Sequence, residues 1–157
     1  LTSFRLSLQD YHHYHSLVSG SVEYPNAVLS DYYGFDPPCL RSRIGAIAQN
    51  ARCALVIDSP GFGQVIFVAI GAVEVETQTV TRNTCTKAGG KQFQRRSTNS
   101  GAKIEKGKEL GMPESGGLNV AVIFEQGQIE LDDEDLLSVS KRGARVDVGV
   151  GQRLRRA

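Results

Sequence analysis

The sequence predicts an α+β fold in which strands dominate. Apolar and polar residues alternate from Phe4 to Gln9, which is the period of a strand with one buried face. Two apolar runs, 51–58 and 64–73, are joined by a Pro/Gly-rich turn at 59–63, and this pattern predicts a hairpin. β-Branched residues alternate with polar ones over 73–81, as in an exposed β ribbon. These observations favour one strand-rich domain over residues 1–157.

Shorter elements are expected along the rest of the chain. Residues 18–23 contain a Ser-Gly-Ser turn that enters a short strand, and 40–50 suit a short helix or an irregular crossing. Acidic residues begin the segment 132–141, and Lys141, Arg142 and Gly143 end it; this arrangement suits a helix dipole and a glycine cap. Further strands are predicted at 119–125 and 145–154, and loops at 25–38 and 82–102.

Composition narrows the class of protein. The chain has 157 residues, 40% hydrophobic and 22% charged, with a net charge of +1. That length suits one domain with its own core, and the charge balance argues against a nucleic-acid partner. No apolar run reaches the length of a membrane span. The chain begins with Leu1 inside a strand pattern, which fits an N-terminal truncation.

The cysteines and the lack of a secretory signal bear on location. The three cysteines, Cys39, Cys53 and Cys85, are widely spaced and odd in number. Such usage predicts reduced thiols and a cytoplasmic protein.

All three histidines lie in the stretch Asp10-Tyr11-His12-His13-Tyr14-His15. Histidine is the usual proton carrier near neutral pH and a common metal ligand, so the stretch predicts a functional site; a polar strand-to-loop junction is the alternative. In a strand, His13 and His15 share one face and His12 lies on the other, which hinders binding of one metal ion. In a helical turn, His12 and His15 share a face, but carboxylates would have to complete the ligand set. We therefore expect no metal.

The pattern D-Y-H-x-x-H over Asp10–His15 resembles the signature of phosphatidylserine decarboxylases. The similarity extends over most of the chain, and 84–101 looks like an insertion. The other similar segments are 16–22, 50–60, 62–63, 68–71, 106–111, 116–117, 120–127, 132–137 and 148–151. The resemblance implies a β-rich decarboxylase fold that is often dimeric, so we expect a homodimer. It also implies self-cleavage at a Gly-Ser bond, after which the serine becomes a pyruvoyl group.

The chain departs from this family pattern at the cleavage position. The resemblance implies that His15 is the general base for self-cleavage, that His12 assists decarboxylation and that Gly117 precedes the scissile bond. The next residue is Leu118, which has no nucleophile and no leaving group. Ser115 is three residues early and Asn119 one late, and a one-residue slip turns a strand's side chains to the wrong face. We expect no pyruvoyl group and no other cofactor.

Three functions remain open at this point. In the first, the protein is a repurposed lyase in which His12 and His15 act as general acid and base on a small, hydrophobic, carboxylated substrate. Decarboxylation, isomerisation and cyclisation are the candidate reactions. The predicted catalytic residues are His12, Tyr14 and His15, and the predicted substrate contacts are Tyr11, Gly116, Gly117 and Leu118. In the second, the chain is an inactive homologue with a structural or partner-binding role. In the third, it is a pyruvoyl-dependent decarboxylase of an amino acid or of phosphatidylserine.

Overall fold

A computed structural model gives the architecture of two compact units, residues 1–124 and 125–157. Each unit is considered by itself, and the single domain over residues 1–157 stays a prediction. The residues that the structure describes are 1–6, 9–23, 26–28, 30–31, 33–34, 37–41, 45–71, 78–80, 101–113, 118–130, 137–144 and 146–152. Residues 82–100 of the loop predicted at 82–102 and the site residues Gly116 and Gly117 lie outside them.

The larger unit is built on antiparallel strands. They are Thr2–Leu6 (β1), Tyr14–His15 (β2), Gly20–Val22 (β3), Asn26–Val28 (β4), Arg52–Ser59 (β5), Gly63–Ile70 (β6), Gln78–Val80 (β7), Ala102–Ile104 (β8), Glu109–Pro113 (β9) and Leu118–Phe124 (β10). Within the described residues, seven strands form one sheet in the order β1-β10-β6-β5-β3-β8, with β4 also paired to β5. A smaller sheet has the order β2-β9-β7. The described residues are rich in strands and have few, short helices, as the predicted α+β class requires.

The β5–β6 hairpin forms the centre of the large sheet. Its register runs without interruption from Arg52 opposite Ile70 to Ser59 opposite Gly63, which confirms the hairpin predicted from the two apolar runs. Alternate residues of both strands are buried on one face, whereas the other face of β5 is only partly covered. The near-continuous apolarity of the two runs predicts cover on both faces, and this holds fully for one face only.

The main core lies against the buried face of this hairpin. It contains Tyr14, Val18, Val22, Cys53, Leu55, Ile57, Val65, Phe67, Ala69, Leu110, Val120 and Val122. Tyr14 and Leu110 belong to β2 and β9, so the small sheet contributes side chains to the same core as the large one. A smaller cluster around Ile70 includes Leu40, Val68 and Ala121.

Several local predictions are confirmed and others are wrong. Strands β1, β3 and β10 occur where alternation and turn signals predicted them. Two short helices occur at the segment 40–50, where a short helix or an irregular crossing is predicted: Pro37–Arg41 (α1) overlaps its start and Ala46–Gln49 (α2) lies within it. Cys53 is disulfide-bonded, so the prediction of reduced thiols is wrong at this position. Among the described residues, no helix is long and apolar enough to cross a membrane.

The smaller unit contains the helix Ser138–Lys141 (α3), which is the end of the helix predicted at 132–141; residues 131–136 lie outside the described part. The strand predicted at 145–154 is wrong over 146–152, where the backbone makes no strand pairing. The physical reason is a turn: Gly151 has φ of 80°, and the Gly149 amide donates to Gln152 Oε1 at 2.8 Å.

Candidate functional site

The histidine stretch lies beside β9 because β2 pairs with that strand. Tyr14 is opposite Gly111 and His15 is opposite Glu109. Two successive residues of β2 thus face positions two apart on β9, and Leu110 is the extra residue of a β-bulge. Bulges bend a strand and re-aim its side chains, and they are frequent next to active sites. Here the bulge brings Glu109 opposite His15.

Hydrogen bonds with Ser16 and Ser19 fix the turn before β9. The Ser16 amide donates to the Lys108 carbonyl at 2.8 Å, and the Gly107 amide donates to the Ser16 carbonyl at 2.7 Å. The Lys106 amide donates to Ser19 Oγ at 2.9 Å. Gly107 has φ of 83°, a conformation that side-chain-bearing residues rarely adopt. These contacts hold the Gly107 carbonyl in one position against the end of β2.

His15 is hydrogen-bonded through both ring nitrogens. Its Nδ1 lies 2.8 Å from the Gly107 carbonyl oxygen. Because a carbonyl oxygen can only accept, Nδ1 carries the hydrogen. In the neutral ring Nε2 is then an acceptor, and the Tyr11 hydroxyl donates to it at 2.7 Å. The Gly107 carbonyl therefore selects the tautomer that presents the Nε2 lone pair to a phenol.

Tyr11 stacks with two imidazole rings. Its ring centroid is 5.0 Å from that of His13 and 5.6 Å from that of His15, with interplanar angles of 21° and 18°. His13 Nδ1 donates to Glu109 Oε1 at 2.8 Å, which fixes the His13 ring. The Tyr11 side chain is 50% exposed, so its hydroxyl is within reach of a small molecule. We call Tyr11, His13, His15 and Glu109 the tyrosine–histidine face.

His12 and Tyr14 alternate with this face and point inward. Tyr14 is 3% exposed, and its ring packs edge-on against Phe67 with centroids 5.7 Å apart. Burial raises the pKa of the Tyr14 phenol well above its usual range. Both the Tyr14 hydroxyl and His12 Nε2 are buried without a hydrogen-bond partner among the described residues. No hydrogen bond or ring contact there joins either residue to the tyrosine–histidine face.

Sequence reasoning missed Glu109 of this face and Gly107, which hydrogen-bonds it. Glu109 is 96 positions from His13, and Gly107 is 92 positions from His15. By its sequence alone, the segment containing them, 104–111, predicts only a structural turn. The usable signal was Gly107 between two lysines, because a glycine among polar residues indicates a turn with positive φ. Nothing in the sequence shows which carboxylate meets which histidine.

Comparison with known proteins identifies the class. A family model described as phosphatidylserine decarboxylase matches residues 1–155, and decarboxylases are lyases. The chain is a member of the phosphatidylserine decarboxylase family.

Relatives from three organisms cover nearly all of this chain. It is 32% identical over 150 residues to phosphatidylserine decarboxylase proenzyme 3 of Schizosaccharomyces pombe, covering 96% of this chain and 14% of that protein. It is 35% identical over 155 residues to proenzyme 2 of Oryza sativa subsp. japonica, covering 98% and 22%. It is 28% identical over 153 residues to the proenzyme of Clostridium tetani, covering 96% and 45%. The chain thus spans less than half the length of these relatives. No solved structure matches it.

The described residues around position 118 do not fit a pyruvoyl group. Leu118 begins β10 and pairs with Leu6. Asn119 pairs with Arg5 and Ile70, and the register continues unbroken along β10. Asn119 is buried and alternates with Val120 and Val122 of the main core, so it belongs to the opposite face of the strand. Leucine has no hydroxyl from which such a group could form, and a residue on the opposite face does not replace it.

Proposed function

We propose that the chain is a pyruvoyl-independent member of its family that transfers protons to a small carboxylated molecule through Tyr11 and His15. The observation that carries the proposal is the chain of hydrogen bonds from the Gly107 carbonyl through His15 to the Tyr11 hydroxyl. A proton carrier needs a base in hydrogen-bond contact and a group that orients that base. His15 is the base, and the Gly107 carbonyl orients it.

Decarboxylation of a β-keto acid is the reaction that this pair suits best. The Tyr11 hydroxyl gives its proton to the ketone oxygen while the bond to the carboxylate carbon breaks. Carbon dioxide leaves, and the electron pair of that bond forms the enol. His15 then passes a proton from solvent to the phenolate through Nε2, and the enol becomes the ketone. The reaction consumes one proton and needs no electron sink besides the substrate's own carbonyl.

The other predicted residues take secondary places in this proposal. His13, held by Glu109, positions the Tyr11 ring by stacking. His12 and Tyr14 stay candidates for proton transfer from the inner side, and Gly116, Gly117 and Leu118 stay candidates for substrate contact. We also propose that the strands form the family's own fold and that the protein is a homodimer, which sedimentation equilibrium would test.

The test is turnover by variants of the full-length protein. β-Keto acids of increasing chain length and vesicles of phosphatidylserine are the substrates, and carbon dioxide release is the measurement. Y11F and H15Q should each lower turnover of a β-keto acid by about 100-fold or more, which is the usual contribution of a positioned acid or base. Y33F is the matched control and should keep full activity, because the Tyr33 hydroxyl contacts Asp31 instead of a histidine. Full activity in both Y11F and H15Q would overturn the proposal.

Intact mass under denaturing conditions separates this proposal from a pyruvoyl enzyme. A single unbroken chain supports the proposal. Two fragments, the second blocked at its first residue, would instead support the hypothesis of a pyruvoyl-dependent decarboxylase. Turnover of phosphatidylserine by such fragments would identify the substrate as well.

The orientation of His15 can be measured without a substrate. Nitrogen-15 spectra of the neutral ring should show a protonated Nδ1 and an unprotonated Nε2. The Y11F variant should keep this tautomer, because the Gly107 carbonyl remains its acceptor. A ring protonated at Nε2 in the wild-type protein would contradict the hydrogen-bond arrangement from which the proposal starts.

The inactive homologue is the second candidate. It is favoured by the fact that Tyr11, His13 and His15 find partners within the chain, as a purely structural cluster also does. In that case Y11F and H15Q change only the free energy of unfolding, and neither the β-keto acids nor phosphatidylserine is consumed by the wild-type protein.

A further inference from the structure

Three tyrosines of the described chain differ in the partner of their hydroxyl. The Tyr11 hydroxyl donates to His15 Nε2 at 2.7 Å. The Tyr33 hydroxyl donates to Asp31 Oδ2 at 3.2 Å, and the nearby negative charge of Asp31 raises the pKa of Tyr33. The Tyr14 hydroxyl is buried without a partner among the described residues. Only the first combines an exposed side chain with an imidazole nitrogen at the phenolic oxygen.

We infer that Tyr11 is a nucleophile that His15 activates, and that it accepts the acyl group of a small ester with a good leaving group. Nucleophile, adjacent base and a third group that orients the base are the recurring parts of covalent catalysis. Tyr11, His15 and the Gly107 carbonyl supply these parts. The inference uses the same two residues as the proposed function, but it requires neither a carboxylated substrate nor loss of carbon dioxide.

The acyl transfer balances without any further reactant. His15 Nε2 takes the phenolic proton as Tyr11 Oη attacks the ester carbonyl carbon. The bond from that carbon to the leaving oxygen breaks, and the leaving group departs as an alcohol or phenol with the proton from His15. The product is an acylated Tyr11 and a neutral His15. No oxidant, reductant or metal takes part.

The geometry favours the phenol over the imidazoles as the attacking group. The Nε2 lone pair of His15 is engaged by the Tyr11 hydroxyl, so His15 acts through Tyr11. Stacking with His13 and His15 restricts the Tyr11 ring, and the Tyr11 hydroxyl bonds His15 at an exposed position, where an ester can reach it. His13 is the competing nucleophile, because its interaction with Glu109 uses Nδ1 alone.

The experiment measures acetylation of the full-length protein by p-nitrophenyl acetate. Release of p-nitrophenolate gives the rate, and peptide mass mapping gives the site. We expect one acetyl group per chain on Tyr11, formed about 100-fold faster than on Tyr33, in line with the contribution of a positioned general base. Tyr14 should stay unlabelled in the folded protein. Y33F should leave the initial burst unchanged, and Y11F should abolish it.

The role of His15 is tested by H15Q, in which acetylation of Tyr11 should fall to the rate of Tyr33 in the same sample. Tyr33 is an internal reference, so the ratio remains interpretable at any protein concentration. Should H15Q fail to fold, the wild-type chain in urea provides the second test, since unfolding separates Tyr11 from its base and should make the two rates equal.

Three results would overturn the inference: equal rates for Tyr11 and Tyr33 in the folded protein, rapid labelling of Tyr11 in folded H15Q, or acetylation of His13 or a lysine in place of Tyr11. The outcomes are independent of the proposed function. Rapid acetylation without carbon dioxide release would uphold the nucleophile and reject the decarboxylase. Carbon dioxide release without acetylation would do the reverse.

Discussion

Replacing Tyr14 with phenylalanine should make the protein more stable. The Tyr14 side chain is 3% exposed and packs against Phe67, and its hydroxyl has no partner among the described residues. Burying a hydroxyl without a hydrogen bond costs about 1–3 kcal/mol. Phenylalanine keeps the ring and removes only that oxygen, so the small cavity left behind offsets little of the gain. We expect Y14F to raise the free energy of unfolding by about 1–2 kcal/mol.

Urea unfolding measures this change, provided that wild type and variant have equal m-values. Y33F is the control, since the Tyr33 hydroxyl that it removes donates to Asp31 near the surface. This variant should change the free energy of unfolding by less than about 0.5 kcal/mol. A loss of about 1 kcal/mol or more in Y14F would show that the hydroxyl has a hydrogen-bond partner. That result would refute the reasoning from burial.

The raised pKa of Tyr14 adds a dependence on pH. Its ordinary value is 10.0, so above that pH the unfolded chain loses the phenolic proton while the folded chain keeps it. The stabilising effect of this proton is complete below pH 10 and is lost as the pH rises. Wild-type stability should fall more steeply than that of Y14F, by about 1.4 kcal/mol per pH unit. Parallel curves above pH 10 would contradict the burial of an un-ionised phenol.

Two further predictions concern positions that fix the large sheet. A Cβ at Gly20 would overlap the backbone carbonyl of Asp58, so G20A should lower the free energy of unfolding by about 1–3 kcal/mol. The control is G61A, which has open space around it and should stay within about 0.5 kcal/mol of wild type. Equal urea midpoints for the two variants would contradict the close approach of the strands. Asn50 is fully buried and makes three hydrogen bonds to backbone groups, so N50A should cost about 3 kcal/mol. The control is Q49A, a change at the exposed neighbouring residue. Equal midpoints of thermal unfolding for N50A and Q49A would reject the estimate.

The local pattern of apolar and polar residues explains which strands and turns the sequence could predict. The β5–β6 hairpin comes from two apolar runs with a Pro/Gly-rich turn between them, so the strand signals and the turn signal agree. The segment 146–152 shows the limit of the same rule. Val146, Val148 and Val150 alternate as in a strand, but Val150 is 88% exposed and the glycines on either side of it allow a turn. Alternation alone does not provide a partner strand.

The site was only partly predictable for a related reason. That the histidines lie together is visible in the sequence, and an extended backbone separates odd from even positions. The bulge at Leu110 is not visible, because it depends on how two segments almost a hundred residues apart are paired. Without the bulge, no argument from spacing brings Glu109 opposite His15. The sequence therefore indicated the histidines but neither Glu109 nor Gly107, which hydrogen-bond them.

The two nitrogens of His15 allow structural and chemical roles to be separated. A structural histidine needs only the bond from Nδ1 to the Gly107 carbonyl, which joins β2 to the turn before β9. The bond from Tyr11 to Nε2 links two residues four positions apart and is exposed; such a bond contributes about 1 kcal/mol or less to stability. Its consequence is chemical, because it aligns a base with a phenol that solvent and small molecules can reach. A role beyond packing therefore depends on the Tyr11 hydroxyl, and Y11F removes that hydroxyl while leaving the structural bond in place.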